Sequence, residues 1–171
     1  MNSEPLAAGS ANGAPTVEVK VLDPRVHRWG LPRYQSAMAA AVDLFASISE
    51  PLALEPQGPA QLIPSGISVH IGDPQIVGLI VPRSGLGHGK GLVLGNLVGI
   101  LDADYTGPLM ISAWNRSGLG TEAIVINPGD RIAQLIFLPV VRPEFRMVTE
   151  FSKETERGSG GFGSTGQAST V

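Results

Sequence analysis

Three stretches carry side chains able to do chemistry. In the first, an apolar run of Leu97, Val98, Ile100 and Leu101 leads into Asp102, Asp104 and Tyr105, with Gly99 and Gly107 as brackets. Strand alternation puts Asp102 and Asp104 on one face and Leu101, Ala103 and Tyr105 on the other. A carboxylate among apolar neighbours is costly unless something charged or polar answers it. Asp and Gly after an apolar run also mark an ordinary turn, so from these residues alone site and turn weigh equally. In the second stretch Pro82 stops an apolar run, and Arg83, Ser84 and Gly85 follow. A Ser able to cap a short helix, beside an Arg, can aim a hydroxyl and free amides at an anion, although most Ser-Gly loops bind nothing. His88 reads as a local hydrogen-bonding residue, with no second His or Cys at ligand spacing. The third stretch, residues 157–166, sets Arg157 and Phe162 among glycines and hydroxyls. It suits a flexible end, or a closing loop whose amides approach phosphates while Phe162 stacks and Arg157 supplies charge. The closing loop is preferred, because a flexible tail seldom holds a lone Phe and Arg so placed.

The elements that must position these stretches are short strands. Val17, Val19 and Val21 alternate with Glu18 and Lys20 up to Pro24. Residues 37–41 could form a helical turn, but run into Val42, Asp43 and Leu44; taken alone, Asp43 reads as a capping or turn residue. A Pro-rich loop fills 51–59, and strands are expected over 62–71 and 75–81. Residues 92–94 and 97–101 are expected to pair like a hairpin around Gly95 and Asn96. Strands over 108–114, 122–127 and 131–141 follow, the last interrupted by Gln134, whose amide would need partners if buried. Turn signals separate about ten such segments, and no helical period is sustained.

The 171 residues suit one domain with a real core, and 22 glycines and 14 prolines suit an all-β chain rich in turns. Residues 1–16 read as a disordered lead-in, 17–150 as the β domain and 151–171 as a tail. A net charge of −3 predicts no electrostatic grip on a nucleic-acid polymer. No membrane partner is expected, since no apolar run approaches spanning length. The absence of cysteine excludes disulfides and, with no signal-peptide pattern, fits a cytoplasmic location.

Five segments, in order, resemble the trimeric dUTP pyrophosphatase family in its bacterial form. They are 40–44 with Asp43, 82–87 with Arg83, 99–107 with Asp102, 129–134 with Gln134, and the 157–166 tail. The first departs from the family pattern at Ala41 and Met38, where glycine is usual; an extra methyl is tolerated where φ is negative.

The resemblance implies a distorted antiparallel β-barrel, jelly-roll-like, assembled as a homotrimer with shared sites. It implies hydrolysis of dUTP to dUMP and pyrophosphate, with Mg²⁺ held by the triphosphate rather than directly by protein. Asp102 resembles the family's water-activating Asp, with Gln134 holding that water or an α-phosphate oxygen and Asp43 supporting the metal's water shell. Arg83, Ser84 and Gly85 resemble its phosphate cradle, to which the tail would add Arg157, Ser164 and Thr165, while Phe162 would stack on the uracil and Gly163 would also contact the substrate. Asn96 would read uracil, Tyr105 would exclude a ribose hydroxyl, and Ile100, Leu101 and Met110 are wall residues. Two alternatives stand beside this: a dCTP deaminase of the same fold, and a non-catalytic nucleotide-binding regulatory barrel.

Overall fold

A computed structural model of the chain describes residues 13–155 and 158–159. Among the described residues, those up to Val141 form one compact unit and those from Arg142 a second. The described part of the second holds no strand or helix.

The first unit contains β1 (Glu18–Val21), α1 (Val26–Trp29), β2 (Ala41–Phe45), β3 (Leu52–Leu54), β4 (Gln61–His70) and β5 (Ile76–Pro82). After these come α2 (Ser84–Gly89), β6 (Leu92–Leu94), β7 (Gly99–Leu101), β8 (Pro108–Asn115), β9 (Ile124–Ile126) and β10 (Arg131–Pro139). One sheet has the order β1-β4-β8-β6 and another β2-β10-β5-β7, while β3 and β9 pair by themselves. Every strand pairing is antiparallel. From β4 to β8 the chain changes sheet at each strand, as expected of a jelly roll.

Period-two alternation explains the core. Ile63, Ile67, Leu109 and Ile111 from one sheet join Val42, Leu44, Ile80 and Leu135 from the other in a single buried cluster. Full burial of each such side chain contributes about 1.5–3 kcal/mol.

Several local expectations change. Residues 92–94 and 97–101 do not form a hairpin: β6 pairs with β8, whereas β7 pairs with β5 in the other sheet. The turn between them carries the chain across the barrel. Residues 37–41 hold no helix, and Ala41 opens β2 without a positive φ. The Pro-rich loop contains β3, which is too short to show a period. Nor does α1 announce itself, because four residues complete barely one turn.

A polar clasp anchors α1. Arg25 Nε lies 2.9 Å from Asp23 Oδ2, and Arg25 Nη1 donates to the Ile48 carbonyl at 2.8 Å. Ser47 Oγ also donates to Asp23. The Arg25 and Ser47 hydrogen bonds hold the Asp23 carboxyl well below the usual carboxylate range. The Arg25 guanidinium stacks 5.3 Å from the Trp29 ring centre. Trp29 in turn covers Gly129, where a Cβ would stand 2.7 Å from the indole Cδ1 and where φ is +83°. That turn therefore requires glycine.

Candidate active site

Val42 and Leu44 point into the core, so strand alternation turns Asp43 to the other face of β2. Asp43 is a mid-strand residue, not the cap or turn its sequence context favoured. Its side chain is 10 % exposed and is held by two arginines: Arg83 Nε at 2.9 Å from Oδ1, and Arg131 Nη1 at 3.1 Å from Oδ2. Arg83 Nη1 also donates to the Arg131 carbonyl at 3.0 Å. Gln134 is the register partner of Asp43, and its Nε2 donates to the Pro82 carbonyl at 3.2 Å, one residue before Arg83. The fold thus brings Asp43, Arg83 and Gln134 together.

Arg131 is the member that sequence reasoning passed over. It lies three residues from Gln134, an odd spacing that regular alternation would send to opposite faces. Between Arg131 and Ala133 the β2–β10 register shifts by one residue, a β-bulge that leaves Ile132 and Ala133 both buried. The extra residue restores Arg131 to the face of Gln134 and Asp43. The turn at Pro128, Gly129 and Asp130 is visible in the sequence; the register break is not.

Ser84 and Gly85 begin α2 and are exposed. Arg83, rather than Ser84, occupies the N-cap, and no side chain caps the helix. The Ser84 hydroxyl is not consumed by capping, and a Cβ on Gly85 would meet nothing within 4 Å. This approach is open to a ligand.

A second group of residues surrounds a concavity of about 240 Å³, whose lining includes Asn96, Gly99, Ile100, Asp102, Tyr105 and Met110. Leu101 also borders it, but its side chain is 5 % exposed and belongs to the core, leaving its backbone to the pocket. β7 ends at Leu101, and the Tyr105 N–H donates to the Asp102 carbonyl at 3.1 Å. Asp102 and Asp104 therefore sit in a turn, not on one face of a continuing strand. Asp102 is exposed at the pocket and makes no ion pair among the described residues.

The turn is tied down from below. Gly72 N–H donates to the Ala103 carbonyl at 2.9 Å, and the Ser68 hydroxyl to the Thr106 carbonyl at 2.5 Å. Tyr105 Oη donates to the Pro108 carbonyl at 3.0 Å, and its ring covers Gly107, where a Cβ would stand 2.6 Å from Cζ. β7 has β5 on one side and no strand on the other, so part of its backbone faces the pocket side unpaired. Next to Asn96, Leu97 adopts φ 65°, unusual for a branched side chain, and the Val98 N–H closes on the Asn96 carbonyl at 2.7 Å.

The two groups lie at opposite ends of β5. Leu101 pairs with Gly78, whereas Arg83 follows five residues later, about 17 Å along the strand at 3.3 Å per residue. One water or phosphate cannot touch Asp102 and the Arg83 cluster of the same chain, since hydrogen-bond reach is about 3 Å. Arg157, Phe162, Gly163, Ser164 and Thr165 lie outside the described residues.

Among the described residues, no helix is long and apolar enough to cross a membrane. The family model for dUTPase matches residues 27–166. The deoxyuridine 5'-triphosphate nucleotidohydrolase of Methylibium petroleiphilum is 56% identical over 152 residues, covering 89% of this chain and 98% of that protein. The solved structure of Staphylococcus bacteriophage 80alpha dUTPase with dUPNHPP has a TM-score of 0.74 at 30% identity, covering 90% of this chain and 100% of the other. A mutant dUTPase from phage phi11 of S. aureus, described with a structural Mg(II) ion, has a TM-score of 0.68 at 28% identity, covering 81% and 99%. With most of its length matched by the family model and by a relative of this identity, the chain belongs to the dUTPase family.

Proposed function

We propose that this chain hydrolyses dUTP to dUMP and pyrophosphate, in a homotrimer whose sites each combine parts of different copies. The observation that carries the shared-site reading is the separation of Asp102 and its pocket from the Arg83, Asp43 and Gln134 cluster. Each half lacks what the other holds, and juxtaposing two copies supplies both.

In such a site Asp102 orients a water and takes its proton as the water oxygen attacks the α-phosphorus. The bond to the bridging oxygen breaks, and pyrophosphate leaves with that oxygen. Gln134 holds the attacking water or an α-phosphate oxygen. Arg83, Ser84 and Gly85 receive phosphate oxygens, with Asp43 keeping the Arg83 guanidinium in place. Asn96 and the free edge of β7 answer the carbonyls and N–H of uracil, and Tyr105 closes the space a ribose 2′-hydroxyl would need. Arg157, Phe162, Gly163, Ser164 and Thr165 of a third copy would cover the nucleotide.

A Mg²⁺ ion fits this arrangement as a companion of the substrate. Among the described residues no three acidic or imidazole groups converge on a point, and both Asp43 oxygens face arginines. That suits an ion which keeps its waters and binds phosphates, with Asp43 and Gln134 outside its inner shell. When bound, it would neutralise charge on the departing pyrophosphate.

A nucleotide panel tests the proposal. Pyrophosphate should be released from dUTP in preference to dCTP, dTTP and UTP when Mg²⁺ is present. Ammonia from dCTP without pyrophosphate from dUTP would replace the reading with deamination.

A further inference from the structure

We infer that the cavity between the α1–β2 connection and the β9–β10 turn is a second anion pocket, and that it takes a diphosphate group. The inference rests on the dUTP reading above, which supplies the ligand: the β- and γ-phosphates of bound nucleotide, or released pyrophosphate. The cavity has a volume of about 350 Å³, and its lining includes Trp29, Arg33, Phe45, Gly129, Asp130 and Arg131.

Three features make it an anion site. Arg131 borders both this cavity and the Asp43 cluster, so the cavity adjoins the proposed phosphate cradle. Arg33 is exposed on the lining and has no acidic partner among the described residues, unlike Arg25, Arg83 and Arg131. The one carboxylate in the lining, Asp130, accepts from the Asn127 N–H at 2.8 Å through Oδ2 and forms no ion pair with Arg33. Asp43 is likewise occupied by Arg83 and Arg131, which leaves the Arg33 charge unanswered. Guanidiniums bind phosphate oxygens through paired donors, and the Trp29 and Phe45 rings lower the local dielectric around them. The two ring centroids are 6.3 Å apart, and Arg25, outside the cavity lining, stands over the Trp29 ring.

Trp29 makes the pocket observable. Titrating the full-length protein with inorganic pyrophosphate should change its tryptophan fluorescence, and Trp29→Phe should abolish that change while calorimetry still detects binding. Arg33→Gln, on an exposed loop, should weaken pyrophosphate binding about tenfold, the scale of one lost charge-assisted contact. The same variant titrated with a non-hydrolysable imido analogue of dUTP separates the sources. Equal weakening means the pocket grips the end of the bound triphosphate; weakening for pyrophosphate alone means it holds the product. Parent-like affinity of Arg33→Gln for both ligands overturns the pocket, as does a pyrophosphate-induced signal that survives Trp29→Phe. Pyrophosphate release from dUTP is measured on the same samples. A protein inert to dUTP whose pyrophosphate binding still depends on Arg33 would sink the hydrolase reading and leave the pocket standing.

Discussion

Arg83 Nε stands 2.9 Å from Asp43 Oδ1, while the other oxygen of that carboxylate is 3.1 Å from Arg131 Nη1. One carboxylate thus holds side by side two guanidiniums that would repel each other without it. Asp43→Asn should release them. Both arginines are partly exposed, so solvent screens the effect, and a stability loss of about 1–2 kcal/mol is expected. The KM for dUTP should rise as the cradle loses its shape. Thermal unfolding at low and high salt checks this: the deficit should shrink as salt rises, and a deficit indifferent to salt would contradict the repulsion account.

Asp102 is the proposed base. Asp102→Asn keeps its size and most hydrogen bonding, so turnover should fall by about 10²–10⁴ while dUTP analogue binding is largely kept. Steady-state rates beside equilibrium titration decide it, and parent-like turnover would make Asp102 a turn residue only.

Shared sites permit complementation. Phe162→Ala should lower catalytic efficiency, since base stacking is worth about 1–3 kcal/mol. Dissociating this variant together with Asp102→Asn and reassembling them should restore activity above either alone, because mixed trimers contain some sites with both side chains. Activity no higher than the average, with mixed trimers verified by mass, would place both residues in one copy.

Asp23 predicts an acid limit to stability. Its folded-state pKa is depressed by the Arg25 and Ser47 hydrogen bonds. The stabilisation is therefore complete above the unfolded value of about 4 and is lost as pH falls through the lower folded value. The parent's advantage over Asp23→Asn should be constant from neutral pH down to about 5 and shrink below about 4. Denaturant unfolding across that range is the measurement, and a gap that widens with acid would reverse the assignment.

The sequence by itself determined most strands and the family. Alternation and Gly, Pro or Asp turns are local signals, and they locate the strand that carries Gln134 and the turn after Leu101, but not β2, where the context of Asp43 favours a cap or turn. The resemblance carried by five ordered segments marks Arg83, Asp102 and Tyr105, and implies a role for Asn96 between two of those segments. Only the tertiary structure decided which strands are neighbours. Residues 92–94 and 97–101 look like hairpin arms, yet the strand in each finds a longer partner in a different sheet, since pairing energy depends on distant segments that local spacing does not encode. The same holds for Arg131. Its place beside Asp43 depends on one register shift against β2, made when the two strands pair. Burial of Ile132 and Ala133 together accompanies that shift and turns the guanidinium outward to its carboxylate.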